Sequence, residues 1–291
     1  MGLAVLASSC GGGSGGGAEP APNALGERAR ALAFNDNAWV TVPVTADPLL
    51  QSLTIPADAP TRGMWSAKQA WPFIGLHSAV LPNGKVLTWG TTPDGNNQIG
   101  RYFDVWDPSL GLSAGASHQT SYDPARQDSF CAAAAYLGDG RLMITGGNGT
   151  NNNGVTSNLY NSASNTVNPG ANVADQRWYA TMLNLQDGRT LILGGMVPYQ
   201  EPMYNNPDLA VAQGLASMTP EVYQNGTWTS LFGATSRDAF GPDYLRASFP
   251  RAWVAPNGRV VGLSTETLWS LDVGGNGAVT IKTDTLQRIA T

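Results

Sequence analysis

The chain has 291 residues, enough for one large domain or two ordinary ones, and 42% of them are hydrophobic. Only 13% are charged, about half the usual share, and the net charge of −5 comes without any basic cluster, which argues against nucleic acid as a partner. With 35 Gly, 19 Pro and 9 Trp, the composition fits an all-β protein of many short strands and not a helical bundle.

The N-terminus opens on a short apolar run that ends at Cys10. The sequence LASSC is similar to a bacterial lipoprotein cleavage site, which makes Cys10 the candidate lipidation residue and places the protein outside the cytoplasm. It would then be secreted or lipid-anchored at the cell envelope. The leader is shorter than a full signal peptide and lacks a basic start, so the true start is expected upstream. The other reading is a plain tail with an incidental cysteine. The apolar run is too short to span a bilayer, and no later segment is a transmembrane candidate. Residues 1–17 thus read as a partial signal plus Gly/Ser tether. Residues 18–60 read as an Ala/Pro-rich linker or N-terminal extension, with a possible strand at 38–44. If Cys10 is lipidated, Cys131 has no disulfide partner in the chain.

From residue 61 a pattern repeats. LPNGKVLTWG (81–90), LGDGRLMITGG (137–147), LQDGRTLILGG (185–195) and APNGRVVGLS (255–264) each place a Gly-centred turn and a basic residue before an apolar strand. The turn glycines are Gly84, Gly140, Gly188 and Gly258, and the NG and DG pairs predict two-residue hairpin turns. The double glycines at 146–147 and 194–195 predict close backbone approach at a strand end. After each hairpin comes a second element with one aromatic residue: Trp106, Tyr160, Tyr223 and Trp269. Two hairpins make a four-stranded sheet, and repetition at roughly 50 residues predicts a kelch-type β-propeller over 61–291. About four blades of an expected seven are visible, and WSAKQAWP (65–72) is a candidate ring-closing strand.

DSFCAAAAYLGDGRLMITGGN (128–148) followed by SNLYNSASN resembles the galactose oxidase and glyoxal oxidase family of copper-radical oxidases. RGMWSAKQAWP with HSAVLPNGKVLTWG, DQRWYATMLNLQDGRTLILGG and YLRASFPRAWVAPNGRVVGL resemble further blades of that propeller, so the likeness covers roughly 61–285. In that family a cysteine sulfur is bonded to the ring of a copper-ligating tyrosine. The resemblance implies Cys131 and Tyr160 as that pair, with Tyr160 as copper ligand and radical site. The implied reaction oxidises a primary alcohol, aldehyde or carbohydrate with O2 and yields H2O2. From the pair alone, the favoured reading is Cys131 as a buried small hydrophobe and Tyr160 as a packing aromatic.

The family's remaining ligands, a Tyr-His pair and a further His, have no match here. His77 follows Leu76, and His118 sits in the expected loop GASHQTSYD; each reads as a hydrogen-bonding or surface residue. The tryptophan that stacks on the crosslinked tyrosine in the galactose oxidase branch has Val197 near its place, with Tyr199 as a possible substitute. The resemblance therefore implies the N-terminal part of a copper-radical oxidase, inactive in these residues alone. The alternative is a non-catalytic kelch propeller that binds carbohydrate or protein at the cell surface. Oligomeric state leaves no trace in the sequence.

Overall fold

The computed structural model describes residues 53–112, 115–122, 128–149 and 153–283, all within one compact unit, Asp47–Thr291. Cys10, the tether and the 38–44 strand lie outside the described residues. The described fold is all-β, with sixteen strands in four antiparallel sheets of four, each running in chain order. The first sheet holds β1 (His77–Val80), β2 (Val86–Trp89), β3 (Tyr102–Trp106) and β4 (His118–Tyr122). The second holds β5 (Ala133–Tyr136), β6 (Leu142–Thr145), β7 (Ser157–Asn161) and β8 (Thr166–Pro169). The third holds β9 (Thr181–Asn184), β10 (Thr190–Leu193), β11 (Glu221–Gln224) and β12 (Thr227–Ser230). The fourth holds β13 (Arg251–Val254), β14 (Val260–Ser264), β15 (Thr267–Asp272) and β16 (Ala278–Thr283). Residues 65–72 form no strand, so the expected closing strand is instead an irregular strap. Trp71 ties that strap to the first sheet, its Nε1–H donating to Thr88 Oγ1 at 3.1 Å.

The four Gly turns differ in one respect from expectation. Gly84, Gly140, Gly188 and Gly258 have φ of 80–85°, but the Asn or Asp before each does not enter the left-handed region. Each turn closes as Gly84 does, whose N–H donates to Leu81 O at 2.9 Å, while Leu81 N–H reaches Lys85 O at 2.7 Å. This is a type I turn with a left-handed glycine after it, not a two-residue loop. The Asn or Asp side chain makes it possible by accepting the N–H two residues on, as Asp139 does from Arg141 at 3.1 Å. The basic residue then has a defined partner. Arg141 and Arg189 pair back to Asp139 and Asp187, while Lys85 and Arg259, which follow Asn, reach Asp107 and Asp272 instead.

The sheets pack in chain order through alternating side chains. Leu87, Phe103 and Val105 interlock with Leu142 and Ile144; Met143 and Leu159 with Ile192 and Trp228; Leu191 and Leu193 with Val260, Trp269 and Leu271. β6 and β10 are therefore buried on both faces, as their uninterrupted apolar sequences LMIT and TLIL require. Each such Leu or Ile contributes about 1.5–3 kcal/mol on leaving water. β9 lies beside both β5 and β13, so the first strands of the second, third and fourth sheets are neighbours. That adjacency gathers the residues just before these strands at one place.

Candidate active site

Two residues before β5, β9 and β13 stand Cys131, Tyr179 and Phe249, with φ of 60°, 63° and 47°. Side chains rarely adopt this left-handed backbone, and each instance costs about 1–3 kcal/mol unless neighbours enforce it. Here they enforce one another: Tyr179 N–H donates to Cys131 O at 3.1 Å, and Phe249 N–H donates to Tyr179 O at 2.7 Å. The three entry turns form one chain of hydrogen bonds across three sheets.

The Tyr179 turn is rooted by Arg177, which is fully buried. Its guanidinium donates to Gly194 O at 2.7 Å, Thr219 O at 2.8 Å and Glu221 Oε1 at 2.6 Å. Glu221, in β11, uses its other oxygen to accept Ala174 N–H at 2.9 Å. A Cβ on Gly146 would stand 2.2 Å from Arg177 O, and one on Gly195 2.9 Å from Arg177 Cα. The two double glycines therefore let the 177–179 segment pass between strand ends, as their sequence predicts.

Cys131 is 8% exposed and packs with Phe130, Trp178, Met196 and Tyr179. Its thiol lies near enough to the Tyr179 phenol for each group to shift the other's proton affinity. Burial pushes the thiol up to about 11, aided by the nearby Asp128 carboxylate, although the Tyr179 hydroxyl pulls the other way. Burial, and next the nearby Cys131 thiol, likewise raise the Tyr179 phenol above its ordinary range. Asp128 is itself raised by burial, although its Oδ1 accepts from Gly100 N–H at 2.8 Å and Phe130 N–H at 3.2 Å. At neutral pH both the thiol and the phenol keep their protons.

Tyr160 is not the aromatic partner of Cys131. In the second sheet Ala133 pairs with Thr145 and Thr145 with Ser157, whereas Tyr160 pairs with Leu142 at the far end. Three residues along β7 already amount to about 10 Å. Tyr160 is buried against Leu81, Leu87 and Leu142, its hydroxyl donates to Asn165 Oδ1 at 2.7 Å, and burial pushes its phenol up to about 12. Trp106, Tyr160 and Tyr223 each face the first residue of their sheet's second strand, the same packing position in three repeats. The tyrosine brought to Cys131 is Tyr179. The signal for it is in RWYAT: aligning the repeats on their first strands puts Cys131, Tyr179 and Phe249 in one column.

Aromatic rings surround this pair. Trp178 stacks on Tyr179 with centroids 3.9 Å apart and planes 21° apart, so the stacked indole comes from the preceding residue and not from the 196–199 loop. Tyr199 leans on Trp178 at 5.0 Å, and Phe249 and Tyr244 flank Tyr179 at 4.8 and 6.3 Å. The two histidines part company. His77, the first residue of β1, accepts Cys131 N–H on Nε2 at 3.1 Å. His118, in β4 and not in a loop, is buried and paired through Nδ1 with Asp104 at 2.6 Å, under the Trp71 ring.

Copper takes imidazole nitrogens together with oxygen donors. Among the described residues no group of three or more His, Cys, Asp or Glu could hold a metal ion. Tyr179 is a possible oxygen donor, but His118 is committed to Asp104 and His77 to the Cys131 backbone. The described residues do not make a copper site by themselves.

No family model matches the chain. Over 194 residues, 63% of this chain and 25% of the relative, the sequence is 26% identical to galactose oxidase from Gibberella zeae. It therefore spans about a quarter of that relative's length. Among solved structures, a fungal alcohol oxidase of the AA5 family in complex with copper aligns with a TM-score of 0.56 at 19% identity, covering 72% of this chain and 42% of that one. In sequence the chain is similar to galactose oxidase, and in fold it is similar to the AA5 alcohol oxidase.

Proposed function

We propose that the four sheets are consecutive blades of a kelch-type β-propeller, and that the chain supplies the thiol–phenol part of an oxidase centre of the galactose oxidase kind. The whole protein would oxidise a primary alcohol or aldehyde with O2 and release H2O2. The observation that carries this reading is the contact between the Cys131 thiol and Tyr179. Chain-order packing of the sheets supports the blade arrangement. So do the open outer faces of the first and fourth sheets, where Val80 and Trp253 are 69% and 60% exposed.

The roles of the residues follow from their surroundings. Burial keeps the Cys131 thiol protonated, so it is a poor nucleophile at neutral pH. Its use is as a substituent on the Tyr179 ring. Linking the two removes the S–H hydrogen and one ring hydrogen and forms one C–S bond. Two electrons and two protons pass to dioxygen, which leaves as H2O2. The linked sulfur donates electron density to the phenol and eases its one-electron oxidation. Trp178 shields one face of the ring from water. The metal donors needed beyond Tyr179 are not among the described residues. A kelch module that only binds carbohydrate or protein has no use for a buried thiol held against a phenol.

The test is alcohol-dependent peroxide release by the whole protein loaded with copper. Cys131→Ser and Tyr179→Phe are expected to lower it by orders of magnitude, and Tyr160→Phe to leave it near wild type. Undiminished release in Cys131→Ser and Tyr179→Phe would refute the proposal.

A further inference from the structure

We propose that His77 is a positioning residue for Cys131: as a neutral base, its Nε2 holds the left-handed Cys131 turn in place against Tyr179. The inference rests on the Cys131–Tyr179 contact and not on oxidase chemistry, so it goes beyond the reading above.

The geometry is a two-pronged grip from the first sheet. Trp89, fully paired in β2, donates its indole Nε1–H to Ser129 O at 3.3 Å. His77, opposite it in β1, accepts Cys131 N–H at 3.1 Å. The two rings lie nearly parallel, with centroids 5.2 Å apart and planes 13° apart, so the imidazole is fixed in orientation before it meets the turn. On the far side, Cys131 O accepts from Tyr179 N–H at 3.1 Å. Both polar groups of the Cys131 backbone are thus taken, one by the first sheet and one by the third. A residue at φ 60° without such partners would relax toward an ordinary backbone and carry its side chain away.

An imidazole accepts at Nε2 only when that nitrogen carries no proton, which puts the proton on Nδ1. Burial favours this neutral form by lowering the His77 pKa below 6.5. The neighbouring groups do not oppose it. From β2 the ring meets an uncharged indole. From the Cys131 turn it meets a backbone N–H, and the Asp128 carboxyl of that turn is engaged by Gly100 and Phe130 N–H and lies near Arg101. Among the described residues no carboxylate lies within ion-pair distance of His77, whereas Asp104 Oδ2 lies 2.6 Å from His118 Nδ1. Protonation of His77 therefore removes an acceptor and gains no partner.

The test is amide hydrogen exchange at Cys131 in the intact protein, with Ile144 in β6 as an internal reference for global opening. Two variants divide the possibilities. His77→Phe keeps a ring over Trp89 without an acceptor, and His77→Gln offers an acceptor that does not titrate. Wild type should protect the Cys131 amide at neutral pH and lose about tenfold of that protection in acid, with Ile144 unchanged. His77→Phe should show the low protection at every pH, and His77→Gln should restore it without the pH dependence. Wild-type protection in His77→Phe would overturn the proposal. If that variant does not fold, a flat protection profile in wild type between pH 7 and acid would overturn it instead. Failure to find a Cys131–Tyr179 link would leave these amide results standing, so the two readings can fail separately.

Discussion

Cys131 and Tyr179 differ from most side chains of their types in standing on left-handed backbone, with the cysteine buried and the tyrosine half-buried. A thiol with a pKa of about 11 is almost wholly protonated at pH 8, whereas an ordinary cysteine is about one-quarter thiolate there. Alkylation of native Cys131 by iodoacetamide is therefore expected to be slow at pH 8, to rise towards pH 11, and to become fast once the chain is unfolded. Rapid native alkylation at pH 8 would mean the thiol is not buried as described. Tyr160 makes the opposite case. Losing its hydroxyl bond to Asn165 should cost about 1 kcal/mol in denaturant unfolding and leave the reactivity of Cys131 unchanged. The sequence singles out the cysteine because Phe-Cys before a hairpin is distinctive. It misled about the tyrosine because strand register, which separates Tyr160 from Cys131, is a pairing property that linear order does not display.

The 174–179 segment between β8 and β9 depends on one buried ion pair, Arg177–Glu221, in which both side chains are almost fully out of water. Removing one partner leaves the other charge buried and unpaired. Arg177→Met alone should therefore destabilise by about 3–5 kcal/mol. Arg177→Met with Glu221→Leu should recover most of that loss, because a buried pair is often no more stable than an apolar substitute. Chemical denaturation of the single and double variants decides it; a double variant as unstable as the single would show that the hydrogen bonds to Gly194 O and Thr219 O matter more than the charge pair. At this scale the sheets themselves were readable. Apolar runs bounded by NG or DG and by double glycines placed all four hairpins, and the aromatic in each second element fell on a third strand. The turn type was not readable, because NG and DG fit both a two-residue turn and the type I turn plus glycine that the Asx hydrogen bond selects. The strap at 65–72 looked strand-like for its apolar residues, but Trp71 is spent on Thr88, Trp106 and His118 and pairs with no strand.

Across the whole molecule, the repeated sheets supply the site by bringing the starts of β5, β9 and β13 side by side, which no single repeat could do. Family likeness was legible in the motifs and is matched by a relative 26% identical, whereas the clustering of strand-entry residues needed the packing of the sheets. The fold also carries a pH dependence through His77. Its folded pKa is depressed below 6.5, so the unfolded chain takes up the proton first. Its contribution to stability is complete above 6.5 and is lost as the pH falls towards the folded value. Thermal or urea unfolding should show wild type losing stability across that window, and His77→Gln losing less; identical pH profiles would remove His77 from the account. The most direct measurement is peptide mapping by mass spectrometry of the whole protein after aerobic copper treatment. The account predicts a linked pair of peptides, one containing Cys131 and one Tyr179, lighter than their sum by two hydrogen atoms, and absent in Tyr179→Phe. A link from Cys131 to Tyr160, or a fully free Cys131 thiol beside an unmodified Tyr179, would contradict it.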